Sequence, residues 1–163
     1  MTEGSEPRLT ELAQTLGMEI TEFNHGSCVV ECTVSSKHLN MGGVAHGGLH
    51  ATLLDTAMGG TLVSTLSKEE WCATAQLDIS YLNAVKEGTR MIATAEVIRR
   101  GRNLAHVEGS LVTDDGTAVA SAKGTWAIWE TRPKSRGGES IAHAGGKFKR
   151  ETTLIISWRG RTL

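Results

Sequence analysis

The chain has 163 residues, of which 39% are apolar and 21% charged, and its formal net charge is −1. This composition is ordinary for one soluble globular domain. No apolar run is long enough to span a bilayer, and the first eight residues, MTEGSEPR, are polar and acidic, unlike the start of a secretory signal. We therefore expect a cytoplasmic protein that does not associate with membranes.

The pattern of apolar and turn residues predicts an α+β domain. The predicted strands are residues 17–23, 27–34, 72–85, 90–99, 103–113 and 117–129, and the predicted helix is residues 48–67. The turns between the strands are short, which implies antiparallel neighbours. We expect about six strands in one antiparallel sheet that curls around the long helix.

Three cysteines, Cys28, Cys32 and Cys72, are an odd number in a chain without an export signal. We therefore expect no disulfide framework. Cys28 and Cys32 lie on the same face of one predicted strand, which suits core packing better than a tetrahedral thiolate site. We interpret all three as small buried hydrophobic residues.

A loop rich in glycine and polar side chains, residues 38–48, runs directly into the predicted helix. Gly47 and Gly48 stand where the first backbone N–H groups of a helix have no internal partner, so they are candidate donors to an oxygen that carries negative charge. Asn40 adds a side-chain amide as a candidate second donor, and His46 is placed to cap or orient the loop. The alternative is that the glycines only shape a turn, which Asn40 satisfies.

The predicted helix contains one permanently charged side chain, Asp55. Its apolar residues spread around the helix instead of forming one stripe: Leu49, Leu53, Leu54, Ala57, Met58, Leu62 and Leu66. Such a helix is buried on most sides, and an acid placed there is either matched by a partner or kept for chemistry. We interpret Asp55 as a catalytic carboxylate, with a structural pairing to a core hydroxyl or backbone group as the alternative.

His46 and His50 are four residues apart and share one helical face, so a metal site has to be weighed. The glutamate that follows the first histidine in the zinc-protease motif is missing, and Asp55 is more than one turn beyond His50. We predict no metal site.

Arg99, Arg100 and Arg102 bring three guanidinium groups into a predicted turn between strands. Phosphate groups are natural partners for such a cluster because arginine offers planar, bidentate donors. The alternative is a solvated turn that keeps edge strands apart.

The C-terminal segment differs in composition from the rest of the chain. Residues 1–130 hold 9 basic and 16 acidic side chains, whereas residues 131–163 hold 8 and 2. We predict a domain over residues 1–130 and a basic, flexible extension over residues 131–163. The extension lacks aromatic residues interleaved on a basic face, so a nucleic-acid-binding arm is disfavoured.

Two motifs together resemble a known family. They are Asn40, Gly43, His46-Gly47-Gly48 and Asp55, followed by residues 74–81, TAQLDISY. This pattern is similar to that of the hotdog-fold acyl-CoA thioesterases, most closely the phenylacetate-pathway branch, and the similarity spans roughly residues 16–129. Related hotdog dehydratases carry a proline-bearing histidine loop, which this chain lacks.

The resemblance implies a hotdog fold and the hydrolysis of an acyl-CoA, with a small aryl or short-to-medium-chain acyl group, to the free acid and coenzyme A. It implies that Asp55 is either a general base or a nucleophile, and that Thr74 falls where the family often has a water-positioning hydroxyl. Gly47, assisted by Asn40, would then stabilise the oxyanion, and Arg99, Arg100 and Arg102 would bind the phosphates of coenzyme A. No metal or bound cofactor is expected. A non-catalytic acyl-CoA binding or regulatory module, or a structural oligomerisation domain, remains the alternative.

Helix geometry bears on the oligomeric state. Eight positions separate Gly47 from Asp55, so the two lie roughly 12 Å apart along one helix. A single thioester carbon cannot be reached from both ends of that distance. We therefore expect the donor groups of one chain to face Asp55 and Thr74 of another across a two-fold interface. The resemblance likewise implies a homodimer with two composite sites, often paired into a homotetramer.

Overall fold

A computed structural model describes residues 9–131 of the chain. The basic extension predicted for residues 131–163 lies, except for its first residue, outside the described residues. The division of the chain into these two parts therefore stays a prediction. None of the helices among residues 9–131 is long and apolar enough to cross a membrane.

The described residues form helices and strands in an order close to the predicted one. In chain order these are α1 (Glu11–Thr15), β1 (Met18–Asn24), β2 (Ser27–Thr33), a 3-10 helix (Ser36–His38), α2 (Gly47–Val63), β3 (Trp71–Tyr81), β4 (Arg90–Arg100), β5 (Leu104–Thr113) and β6 (Ala118–Trp129). The strands lie in the order β1-β2-β4-β5-β6-β3, and every neighbouring pair is antiparallel. The predicted α+β architecture of one six-stranded sheet with one long helix is confirmed. Helix α2 connects β2 to β3 along the chain, and β3 lies at the edge of the sheet next to β6.

The apolar core lies between α2 and the face of the sheet that the helix covers. From the helix, Leu53, Leu54, Ala57, Met58 and Leu62 are fully buried. From the sheet, fully buried side chains include Val30, Met91, Ala93, Val107 and Leu111. Burying these side chains supplies the main driving force that holds the helix on the sheet.

The exposed side of α2 differs from the prediction. Asp55 and its neighbours on the same face, Ala51, Thr52, Thr56 and Gly59, are only half-buried. The helix is therefore less enclosed than its apolar sequence predicts. The catalytic candidate Asp55 lies on this partly open face.

Helix α2 ends at Val63, four residues before the predicted end. The hydroxyls of Ser64 and Thr65 donate to the carbonyls of Thr61 and Leu62, each at 2.7 Å. Ser64 Oγ also accepts from the backbone N–H of Gly26 at 2.8 Å, which ties the β1-β2 hairpin to the helix end. Serine and threonine side chains compete in this way with continued helical hydrogen bonding.

Strand β3 ends at Tyr81, whereas the sequence predicts a strand to residue 85. Leu82 and Asn83 both donate their backbone N–H to the carbonyl of Val119, at 2.9 and 3.2 Å. This shared acceptor breaks the alternating ladder and ends the strand. Neither α1 nor the 3-10 helix was predicted, because both are too short to show a periodic apolar pattern.

The cysteine prediction is confirmed for two of the three residues. Cys28 and Cys32 are buried on the helix-facing side of β2, and Cys72 is half-buried. Burial, with a smaller contribution from the charge of Glu22, raises the pKa of Cys28 to about 11. Cys28 therefore remains a thiol at neutral pH and acts as a small hydrophobic side chain.

Two adjacent glycines of α2 give a test of this packing. A Cβ at Gly60 would lie 2.5 Å from Cys28 Sγ, whereas the nearest atom to a Cβ at Gly59 is Trp126 Nε1 at 3.7 Å. Alanine is favoured over glycine in a helix, so Gly59→Ala should raise the free energy of unfolding by about 0.5–1 kcal/mol. Gly60→Ala should lower it by about 1–3 kcal/mol because of overpacking. Urea denaturation of both variants measures the difference, and equal stability would contradict the packing of α2 on β2.

Candidate functional site

The loop before α2 is shaped by the residues that the sequence singled out. Asn40 donates its backbone N–H to Val44 O at 2.8 Å, and Gly43 adopts φ +75°, which favours glycine. The Asn40 side-chain Oδ1 accepts from the N–H of Gly42 at 2.8 Å and of Val44 at 3.4 Å. Asn40 thus shapes the turn, as the alternative interpretation holds. Its side-chain NH₂ has no recorded partner within residues 9–131, so it is also open as a donor.

His46 caps the N-terminus of α2, as predicted. Its Nδ1 accepts from the backbone N–H of Gly48 at 2.9 Å. The Gly48 N–H is therefore already satisfied, although the sequence proposed it as a ligand donor. The N–H of Gly47 has no recorded partner among the described residues. Of the two glycines, Gly47 is thus the open donor at the helix N-terminus.

Tyr81 is a site residue to which the sequence assigned no role. Its hydroxyl donates to the carbonyl of Gly47 at 3.3 Å, and its ring lies 3.2 Å from where a Cβ on Gly47 would stand. A Cβ at position 47 would require this ring to shift by a few tenths of an ångström, so glycine allows its close approach. Tyr81 is the single tyrosine of the chain and ends the quoted motif of residues 74–81, which was the available signal.

The structure brings Asp55 and Thr74 together. Thr74 Oγ1 donates to Asp55 Oδ1 at 2.8 Å. The register of β3 against β6 shifts between Thr74 and Gln76, and such a bulge changes the direction of a side chain next to a site. The hydrogen bond holds one carboxylate oxygen of Asp55 and leaves the other unengaged by any recorded bond within residues 9–131.

Cys72 lies beside this pair and was not assigned a site role by the sequence. Burial raises the pKa of the Cys72 thiol, and the charge of Asp55 raises it further. Cys72 is therefore kept protonated, and it is a poor candidate for a nucleophile at neutral pH.

The donor group and the carboxylate lie at opposite ends of β3. Gly47 contacts Tyr81 at the C-terminal end of β3, whereas Asp55 contacts Thr74 near its N-terminal end. Along an extended strand, Thr74 and Tyr81 are separated by roughly 23 Å. Within one chain, the structure therefore brings Asp55 to Thr74 but does not bring either of them to Gly47 or Asn40.

Only one of the three arginines predicted to lie in a turn lies outside a strand. Arg99 and Arg100 belong to the end of β4, and Arg102 follows it. Arg100 pairs with Glu70, and Arg102 pairs with Glu130 at 2.7 Å. Arg99 has no recorded acidic partner within residues 9–131. The Arg100–Glu70 pair places the cluster next to the start of β3, the end of the strand at which Thr74 lies.

A cavity of about 330 Å³ lies next to Gly47. It is lined by Ala45, Gly47, His50, Tyr81, Leu82, Asn83 and Ala84. A larger cavity of about 760 Å³ lies on the opposite face of the sheet, and its lining residues include neither Asp55 nor Gly47. We take the smaller cavity as part of the candidate site because it borders the open donor of Gly47. Among residues 9–131, no three histidine, cysteine or acidic side chains come together as a candidate metal site.

Comparison with known proteins gives consistent matches. The sequence profile of the thioesterase superfamily matches residues 42–120. Human acyl-coenzyme A thioesterase 13 is 31% identical over 99 residues, which cover 61% of this chain and 69% of that protein.

Two solved structures are similar to the fold. The PaaI protein of the E. coli phenylacetic acid degradation operon superposes with a TM-score of 0.68 at 26% identity, over 72% of this chain and 83% of that one. A hypothetical thioesterase from Streptococcus pneumoniae, solved with coenzyme A, superposes with a TM-score of 0.65 at 28% identity, over 71% of this chain and 88% of that one.

Proposed function

Because this chain belongs to the thioesterase superfamily and is a thioester hydrolase, we propose that it hydrolyses acyl-coenzyme A to a free acid and coenzyme A. The proposed acyl group is a small aryl group or a short-to-medium aliphatic chain. The observation that carries the proposal is the 2.8 Å hydrogen bond of Thr74 to Asp55, on a helix face that is still partly open. The proposed reaction uses protein side chains and water, with no metal or bound cofactor.

The geometry supports a role for each residue of the proposed site. Asp55 acts either as the general base that activates water or as the nucleophile that attacks the thioester carbon, and Thr74 orients it. The Gly47 N–H and the Asn40 side-chain NH₂ stabilise the oxyanion that forms on the thioester oxygen. His46 supports Gly47 by capping the same helix turn through Gly48.

The proposed catalytic unit is a homodimer that pairs two copies of β3. Within residues 9–131, the neighbouring strand of β3 in the sheet is β6, and the other edge of β3, from Thr74 to Tyr81, borders no further strand there. If two β3 edges pair antiparallel about a two-fold axis, Tyr81 of one copy lies beside the N-terminal half of β3 in the second copy. Thr74 lies in that half. This pairing would bring Gly47 of one copy to Asp55 of the other and complete the site.

A homotetramer is the proposed higher assembly. The sheet face opposite the helix holds the 760 Å³ cavity, whose lining combines apolar surface with polar side chains such as Asp78, Ser80, Thr94, Glu96 and Lys123. We propose that two dimers meet through this face and cover the cavity. Light scattering on the purified protein counts the chains. A dimer in solution would contradict the proposed tetramer and leave the proposed dimer in place. A fully active monomer would contradict the shared site.

The arginines are proposed to bind the phosphates of coenzyme A. Replacing Arg99, Arg100 and Arg102 by glutamine should raise KM for an acyl-CoA about tenfold, because charge-assisted contacts to the phosphates are lost. The KM for the same acyl group on pantetheine, which lacks the nucleotide, should hardly change. The matched control is Lys123→Gln, which removes an exposed cation that pairs with Glu108 across β5 and β6. Equal effects on the two esters would contradict the phosphate role.

A thiol-release assay tests the proposed function. The purified protein is mixed with a panel of aryl and straight-chain acyl-CoAs, and free coenzyme A is followed with a thiol reagent. We expect turnover on at least one member of the panel, with one thiol released per acid formed. Binding of coenzyme A without turnover would instead identify a non-catalytic acyl-CoA binding module. Neither binding nor turnover would indicate a structural domain.

A further inference from the structure

His50 is buried without a hydrogen-bond partner. It lies in the first turn of α2 and is 4% exposed, yet neither Nδ1 nor Nε2 has a partner among residues 9–131. An imidazole always carries at least one N–H donor, and a buried unsatisfied donor costs free energy. No group among the described residues supplies the missing hydrogen bond. This points to a ligand that forms a hydrogen bond with His50.

The surroundings of His50 form a small pocket in which apolar surface meets a few polar groups. The cavity of about 330 Å³ beside Gly47 is lined by His50, and the rings of His50 and Tyr81 lie 5.9 Å apart. Leu82, at the rim, is 53% exposed, so the cavity opens to the surface. We call this cavity the His50 pocket. It borders the proposed oxyanion donor and opens to solvent, so it offers a route for the thiol arm of a substrate.

The protonation state of His50 restricts the ligand. Burial lowers the pKa of His50, and the nearby His46 lowers it further. The neutral ring offers one N–H donor and one acceptor nitrogen. A secondary amide can bond either nitrogen, because its carbonyl accepts from the ring N–H and its own N–H donates to the acceptor nitrogen, whereas a carboxylate offers acceptors only and would favour a charged ring.

We propose that the His50 pocket binds the first amide of the pantetheine arm of the substrate, with His50 as the side chain that recognises it. This inference rests on the proposed function. Two methylene groups separate the thioester sulfur from that amide. Along α2, His50 is about 4.5 Å from Gly47, where the thioester carbonyl would bind, so an arm anchored at Gly47 places its amide beside His50.

The direction of the arm agrees with the proposed dimer. On its outer side, the His50 pocket is bordered by Tyr81 and Leu82, at the C-terminal end of β3. Antiparallel pairing of two β3 strands would place the N-terminal end of β3 of the second copy there. The arginine cluster lies next to that end of β3, because Arg100 pairs with Glu70, the residue directly before the strand. The arm would therefore run from Gly47 past His50 towards the arginines proposed to bind the phosphates.

Two thioesters of the same acid test the inference. One is the N-acetylcysteamine ester, which has the amide, and the other is the pentanethiol ester, which has the same length without it. For the natural protein we expect kcat/KM to be about tenfold higher for the amide ester. In His50→Leu this ratio should fall close to one, through a loss on the amide ester alone. His50→Gln, which keeps a donor and an acceptor, should retain part of the preference.

The remaining outcomes separate this inference from the proposed function. Equal ratios in the natural protein and His50→Leu, or an equal loss on both esters, would overturn the amide contact. A changed preference between hydroxylated and plain acyl groups would also overturn it, since the pocket would then hold the acyl group.

If no thioester is hydrolysed, the proposed function fails. Calorimetry with coenzyme A then decides, because about tenfold weaker binding to His50→Leu supports the pocket and equal binding overturns it. If His50→Leu does not fold, the ester ratio of the natural protein and of His50→Gln gives the answer.

Discussion

Asp55→Asn is expected to lower kcat on acyl-CoA by about 10³-fold, whether Asp55 is the base or the nucleophile. Asparagine has nearly the same size as aspartate, and its Oδ1 still accepts from Thr74 Oγ1, so the 2.8 Å hydrogen bond can be kept. Only the ability to take a proton or attack carbon is lost. The fold and the affinity for coenzyme A should therefore stay close to those of the natural protein.

The same exchange elsewhere provides the control. Asp114 lies exposed in the turn between β5 and β6, far along the chain from the site, and Asp114→Asn should leave kcat unchanged. Circular dichroism and thermal melting check that both variants fold, and steady-state thiol release gives kcat. Turnover of Asp55→Asn near that of the natural protein would remove Asp55 from the mechanism.

The fold could be predicted from local sequence signals. Turn residues such as Gly26 and Gly116, both with positive φ in the structure, mark the reversals between strands. The lack of charge around Asp55 marks the helix on which the sheet packs. The end of α2 could not be predicted, because it depends on the hydroxyls of Ser64 and Thr65 binding the last carbonyls. An apolar pattern contains no signal for that competition.

The candidate site could be predicted in part. The pairing of Asp55 with Thr74 follows from no spacing rule, since Thr74 stands 19 positions after Asp55 and is directed by a β-bulge next to it. Only the family resemblance suggested this pairing. Contacts made by the tertiary fold were missed. The contact of Tyr81 with Gly47 depends on the position of β3 at the sheet edge. The role proposed for His50 depends on the burial of both its nitrogens without a hydrogen-bond partner among the described residues.

One side chain shows why sequence alternatives can both hold. Asn40 was considered either as an oxyanion donor or as a residue that satisfies a turn. Its oxygen satisfies the turn through Gly42 and Val44, and its NH₂ remains available. The matched variant Asn40→Asp keeps the oxygen for the turn and removes the NH₂. It therefore separates the two roles better than Asn40→Ala, which removes both.

The shared site is the central claim, and mixing two inactive variants tests it most directly. Asn40→Ala should lower the rate by roughly 10²-fold through loss of an oxyanion donor, and Asp55→Asn lowers it further. In a heterodimer of the two, one site combines the intact Asn40 of one chain with the intact Asp55 of the other. The second site carries both defects.

The measurement is thiol release by the two variants after they are denatured, mixed in equal amounts and refolded together. Random pairing makes about half of the dimers mixed, each with one intact site, so activity should rise to about a quarter of the natural value. Each variant refolded alone is the control and should stay inactive. Different affinity tags on the two chains confirm that heterodimers form. Activity no higher than that of the separate variants, in the presence of proven heterodimers, would contradict a site built from two chains.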